Sequence, residues 1–184
     1  LGVSPDNTQL RLAQRRIANQ RYIDELTGLN NRKSYNKRIH ELLYTHKRYG
    51  DIFSIIMYDI DDFKKINDTY GHKVGDDVLK SMSKMVENMV RQSDYVFRIG
   101  GEEFIVLLAK TPLEEAKQTA QKIRQNIATH LDTIQDRQIT VSLGVTQVQP
   151  GDDEDRIFQR VDGLLYEAKE TGKNRVAASK DALV

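Results

Sequence analysis

Cysteine is absent from this chain, and with it any disulfide framework, thiolate metal site or cysteine nucleophile, so its chemistry has to come from carboxylates, lysine, arginine, histidine and the backbone. Long apolar runs are absent too. The longest, FSIIMY and FIVLLA, fall far short of the roughly 20 residues a membrane helix needs, and the opening LGVSPDNTQL lacks the basic-then-apolar pattern of a secretory signal. The expectation is a soluble, cytoplasmic segment without direct membrane contact, any anchor lying upstream. No internal repeat, low-complexity tract or P-loop occurs, and GHKVG lacks the Gly-x-Gly-x-x-Gly spacing of a dinucleotide fold, so any bound phosphate is held by another route. A large overall charge is missing as well: the net is +1, although residues 1 to 50 hold ten Lys or Arg against four Asp or Glu. Tyr22, Tyr35, Tyr44 and Tyr49 are scattered among those cations without the regular interleaving that a nucleic-acid platform would want. That favours a solvated basic helix over a polyanion-binding arm, and no nucleic acid as a partner.

The 184 residues, 39% of them hydrophobic, suit one ordinary domain with a short appendage. From Gln9 to Ile23 the polar stretch with Leu10, Ala13 and Ile17 at weak a/d spacing reads either as a connecting helix that pairs with its own copy or as a frayed terminal helix. Tyr35, Ile39, Leu42 and Leu43 recur at helical spacing up to Gly50. DIFSIIMYDI is a short, β-branched, nearly continuous apolar run and predicts a buried strand. A short helix follows from Asp61 to Gly71, and then a long one with Asp76 as its expected N-cap and Val78, Leu79, Met82, Met85, Val86, Met89 and Val90 facing inward. DYVFRIGGEEFIVLLAK predicts strand, hairpin, strand. The next helix is expected to be capped by Thr111 with Pro112 at its first position. QITVSLGVTQV predicts a strand, EDRIFQRVDGLLYEAKETGK a helix with an interruption near Gly163, and NRVAA an edge strand. This order gives one mainly antiparallel sheet covered by helices, an α/β arrangement of the α+β type.

Within RIGGEEF, Gly100 and Gly101 predict a two-residue turn with positive φ, which leaves Glu102 and Glu103 to explain. Read alone, they are either solvated turn charges or ligands. Asp59, at the end of an otherwise apolar strand, either caps the helix that follows or stands at the sheet rim as part of a binding site. If the hairpin strand lies beside the Asp59 strand, at about 4.8 Å, Asp59 and a hairpin glutamate can share a hard cation. Mg²⁺ accepts one or two carboxylates and completes its shell with water and phosphate oxygens.

Five segments in order, DELTGLNNR, DIDDFKKINDTYGHKVGDDVL, RIGGEEF, SLGV and YEAKETGKNR, resemble the GGDEF domain of diguanylate cyclases, the enzymes that join two GTP into cyclic di-GMP. The resemblance spans roughly residues 24 to 178. It implies a central, mainly antiparallel five-stranded sheet flanked by helices, similar to nucleotidyl cyclase catalytic domains, with a β-hairpin carrying GGEEF. It also implies a division into a linker or signalling helix at 1–25, the catalytic domain at 26–178 and a tail at 179–184.

By this resemblance Asp59, the Ile60 carbonyl and Glu102 bind metal, Glu102 is the base for the ribose 3′-hydroxyl, and Glu103 is a second-ion ligand or an orienting group paired with Arg98. Two Mg²⁺ or Mn²⁺ ions per active site are implied. Asn67 and Asp76 match the guanine-reading pair. A carboxylate accepts the N1 and N2 donors of guanine but repels the N1 acceptor of adenine, which favours GTP over ATP. His72, Gly100 and Gly101 match nucleotide-contacting positions, and Lys64, Lys169 and Lys173 the phosphate contacts. The two last lysines are four apart, on one face at a helix C-terminus. RQSD, with Arg91 and Asp94, matches the family's product-binding inhibitory motif. Arg holds phosphate bidentately, and Asp accepts from a guanine edge.

The resulting expectation is an enzyme of the diguanylate cyclase class working as a homodimer, each half holding one GTP, with cyclic di-GMP as product and inhibitor and an upstream sensory or receiver module as input. The alternatives are a catalytically silent GGDEF domain that senses cyclic di-GMP or GTP, and an interaction scaffold.

Overall fold

Across the described residues 5–180, the computed structural model runs α1 (Pro5–Gln20), α2 (Arg32–Tyr49), β1 (Phe53–Ile60), α3 (Phe63–Tyr70), α4 (His72–Met89), β2 (Tyr95–Arg98), β3 (Glu103–Ala109), α5 (Leu113–His130), β4 (Val141–Gln147), α6 (Glu154–Glu170) and β5 (Val176–Ala178). The first four residues of the expected linker and the last four of the expected tail lie outside the described residues. No helix among the described residues is long and apolar enough to cross a membrane.

The strands form one open sheet in the order β2-β3-β1-β4-β5, antiparallel except for the parallel pair β4 and β5, as the element order implied. β1 is central and buried on both faces, which is why its sequence is continuously apolar rather than alternating. Ile56, Tyr58 and Ile60 face the core shared with α3, α4 and α5. Phe53, Ile55 and Met57 face the core beneath α2 and α6. Tyr58 stacks on its cross-strand partner Phe104 at 5.2 Å between centroids. That pair sits one step from the sheet end and pins the register there.

Helix ends follow local chemistry in places and long-range chemistry in others. Asn31 caps α2 by accepting from Ser34 N at 3.1 Å, and Gly50 closes it in the left-handed region. α1 starts and stops earlier than expected, and Ile23 lies beyond it, bridged to Asn30. Thr111 does not cap α5: its hydroxyl donates to Ala109 O, and Leu113 N is satisfied instead by Gln147 Oε1 from the end of β4. α6 is not interrupted at Gly163. The glycine that matters beneath it is Gly144 of β4, where a Cβ would stand 2.6 Å from Leu165 N and 2.7 Å from Val161 O. The α6 backbone therefore lies directly on the strand.

Candidate active site

Two rows of side chains turn from apolar to charged at the same end of the sheet. Along β1, the row Phe53, Ile55, Met57 continues as Asp59. Along α6, the buried stripe Ile157, Val161, Leu165 continues one turn later as Lys169. The lysine ammonium consequently meets the carboxylate, forming an ion pair with Asp59 Oδ1 and lying 3.8 Å from Asp61 Oδ1. Register sets Asp59 opposite Glu103 across β1 and β3, and Glu102, in the loop just before, is near enough for its charge to act on Asp59. Burial pushes the Asp59 carboxyl up to about 6; Lys169 opposes that rise, and the charges of Glu102 and Asp61 add to it.

The hairpin tip differs from the expected two-residue turn. Residues 99–102 lie between the strands, and neither Gly100 nor Gly101 has positive φ. Arg98 shapes this tip. Its Nε and Nη2 donate to Gly101 O at 3.1 and 2.9 Å, while Nη1 donates to both carboxylate oxygens of Asp24, at 3.3 and 3.1 Å. Arg98 therefore pairs with Asp24 of the domain entrance and not with Glu103. Asp24 also accepts from Thr27 N and Oγ1. Burial alone would raise its pKa, but the Thr27 hydrogen bonds and Arg98 outweigh that and hold it below the ordinary carboxylate value.

Asp61 is a residue that sequence reasoning passed over. It is buried, and it accepts from Thr140 Oγ1 at 2.7 Å, Ser142 Oγ at 2.6 Å and Asn174 N at 2.9 Å. One carboxylate thereby ties the end of β1 to β4 and to the loop after α6. That loop carries positive φ at Gly172, Lys173 and Asn174, a run that costs about 1 kcal/mol or more for each non-glycine residue. Asp62 is also left-handed, and its carboxylate takes Lys173 Nζ at 2.7 Å. The hydrogen bond from that ammonium lowers the Asp62 pKa, and the Asp62 carboxylate in turn raises the pKa of Lys173. The only advance signal was the density of acids in DIDD.

The expected guanine pair sits on α3 and α4, which follow β1. Gly71, at φ 90°, lets one helix end and the next begin at once, so α4 starts at His72 and Asp76 is inside it rather than at its N-cap. Likewise α3 starts at Phe63, two residues after Asp61. Lys64, His72 and Asp76 are exposed. Asn67 Oδ1 is buried without a hydrogen-bond partner, in a slot that exists because Gly75 has no side chain: a Cβ there would stand 1.9 Å from that oxygen. An unpaired acceptor of this kind is costly unless something supplies a donor.

Arg91 and Asp94 lie at the far end of α4, whose 18 residues span about 27 Å. Asp94 accepts from Arg91 N at 3.0 Å, and Arg91 O accepts from Asp94 N at 3.0 Å, a closed turn beside a cleft of about 430 Å³ against Glu115, Thr119 and Lys122 of α5. Partial burial raises the pKa of Asp94.

Among the described residues, no three His, Asp or Glu side chains converge as a preformed metal cage. The hard oxygen donors at hand, two carboxylates and a strand-end carbonyl, suit a divalent ion that keeps water and phosphate oxygens in its shell. A sequence profile described as "Diguanylate cyclase, GGDEF domain" matches residues 21–175. The diguanylate cyclase DgcM of Escherichia coli K12 is 37% identical over 174 residues, 95% of this chain and 42% of DgcM. The chain thus spans less than half the length of that relative. The coiled coil and GGDEF domain of DgcB from Caulobacter crescentus, solved in complex with c-di-GMP, superposes with a TM-score of 0.89 at 26% identity, covering 95% of this chain and 94% of that one. The active GGEEF domain of a diguanylate cyclase from Vibrio cholerae gives 0.79 at 36% identity over 84% and 99%.

Proposed function

Because the chain belongs to the GGDEF domain family of diguanylate cyclases, we propose that it condenses two GTP into cyclic di-GMP with release of two pyrophosphates. The observation that carries this reading is the pairing of Asp59 with Glu103 at the sheet end where Glu102 and Lys169 also gather.

Two Mg²⁺ or Mn²⁺ ions would be held by Asp59, the Ile60 carbonyl, Glu102 and, for the second ion, Glu103; when bound they offset charge developing on the attacking and leaving oxygens. Glu102 takes the proton of the ribose 3′-hydroxyl, and the freed 3′-oxygen attacks the α-phosphorus of the second GTP as the bond to its β-phosphate breaks. Lys64, Lys169 and Lys173 bind the phosphates. Asp76 accepts the N1 and N2 donors of guanine, and the unpaired Asn67 Oδ1 accepts from the same edge. His72, Gly100 and Gly101 line the nucleotide. The unit at 26–178 carries this chemistry.

One domain holds one GTP, so turnover needs two domains facing each other across a two-fold axis. The exposed a/d positions Leu10, Ala13 and Ile17 of α1 supply the contact that brings them together. Product returns to the Arg91 and Asp94 cleft and slows the enzyme, with input arriving from a sensory or receiver module upstream. Purified chain incubated with GTP and Mg²⁺ is expected to yield cyclic di-GMP and pyrophosphate on chromatography, and Glu102→Gln to yield about 10²–10⁴-fold less of both. No product at concentrations that force dimers would overturn the reading.

A further inference from the structure

The charged groups at the working end of the sheet are unequally committed. Asp61 is saturated by Thr140, Ser142 and the backbone of Asn174. Lys173 is held at both ends, its Nζ by Asp62 and its backbone N–H by Ala168 O at 3.0 Å. Asp59 is different. It is 8% exposed, its Oδ1 lacks an aligned hydrogen bond among the described residues, and what neutralises it is the ammonium of Lys169. Lys169 has no hydrogen bond of its own beyond these ion pairs among the described residues, and its stem rises from the last turn of α6 with 26% of the side chain exposed.

A lysine ammonium and a divalent cation are competing occupants of one carboxylate oxygen, since both are held there by charge and each fills the space the other needs. A lysine suits the exchange: it is a point charge on a four-carbon stem, free to turn, whereas an arginine fork would lock onto the carboxylate. We propose that Lys169 is an internal counterion that occupies the cation position at Asp59 in the nucleotide-free protein. It yields that position to the metal and moves its ammonium to the incoming phosphates. This rests on the reading above that Asp59 takes part in holding a divalent ion. Two consequences follow from the exchange. Free metal binds weakly, because it must displace a cation whose other partner among the described residues is Asp61, 3.8 Å away and already taken up by its own hydrogen bonds. Metal and GTP bind cooperatively, because the triphosphate supplies the displaced ammonium with a new partner, and that coupling is reciprocal.

The test uses Mn²⁺ alone, without nucleotide, titrated into the whole chain and followed by the electron paramagnetic resonance of the free ion. Lys169→Met is expected to bind Mn²⁺ at least about tenfold more tightly than the parent protein, the effect of removing one positive charge a few ångströms from a divalent ion at a partly desolvated site. Lys173→Met, which removes the same charge from Asp62 and not from Asp59, should gain less than about threefold. Lys169→Arg should bind no more tightly than the parent. Mn²⁺ binding that Asp59→Asn abolishes but that is equal in the parent and Lys169→Met overturns the exchange and leaves the metal site standing. Binding indifferent to Asp59→Asn overturns both.

Discussion

Helix α6 presents a cation near each end, and the two behave oppositely. Arg160 places its fork on Asp152 at 2.9 and 2.6 Å, donates Nη2 to Gln147 O at 3.1 Å and Nε to Thr146 Oγ1 at 2.9 Å. Burial alone would raise the Asp152 pKa, but these directed hydrogen bonds, one from Gln149 N and the Arg160 charge outweigh it, and the net shift is downward. Lys169, on the same helix and with the same charge, sits beside an Asp59 whose pKa ends above its ordinary value. The difference lies in what surrounds each carboxylate. At the Asp152 end every donor is aimed and no other acid intrudes. At the Asp59 end the ammonium is one point charge against burial, Glu102 and Asp61 together. The first arrangement stabilises the fold, and the second leaves a carboxylate in want of more positive charge, which is the condition for binding a cation.

The largest break in that comparison is Glu102→Gln, which should lower product formation by about 10²–10⁴-fold through loss of the proposed base while leaving the urea midpoint near that of the parent. Next is Arg160→Ala. It strands a buried carboxylate and should cost about 3 kcal/mol of stability, the low end for a buried pair because Arg160 is partly exposed, read as a lower urea midpoint, with turnover per folded molecule unchanged. Arg160→Lys should recover only part of that loss, because an ammonium cannot reproduce the fork. A smaller effect is expected from Gly75→Ala, whose methyl pushes Asn67 out of its slot: KM for GTP should rise about tenfold, the loss of the one hydrogen bond to guanine proposed for Asn67, with little change in Tm. The smallest is a pH effect on the structural pairs. Asp152 and Asp24 have folded pKa values below 3.8, so the stability they contribute is complete above that value and is lost as pH falls through the lowered folded ones. Urea midpoints measured between pH 5 and 2 should therefore fall less steeply in Asp152→Asn than in the parent.

Much of the site was legible one residue at a time. Asp59 stands out as the first charge after Phe53–Tyr58, and the Gly-Gly-Glu-Glu run stands out between two apolar strands. The proposed guanine pair, Asn67 and Asp76, carried a signal only through its resemblance to a known motif. Periodicity alone offers no reason why Asn67 rather than Asp68 should be half-buried, and the reason is Gly75 on the next helix. Where expectation and structure part, a neighbour distant in sequence intervened. α5 is satisfied by Gln147 instead of Thr111. Asp76 loses its capping role because Gly71 lets α4 start a turn earlier. Gly163 leaves no break: α6 runs through it, and the turn from Val161 to Leu165 that contains it is seated on Gly144 of β4.

By itself the sequence determined the strands, the helices and the end of the sheet at which the acids would gather, because apolar spacing and turn chemistry act over a few residues and repeat with the backbone period. Only the tertiary structure decided which charges meet. Arg98 finds Asp24 across 74 positions, Ser142 finds Asp61 across 81, and Lys169 reaches Asp59 of β1 from the last turn of α6. Such meetings depend on sheet register and helix docking, where a slip of one residue turns every side chain to the opposite face. No local pattern carries that information, because it belongs to the packed sheet as a whole.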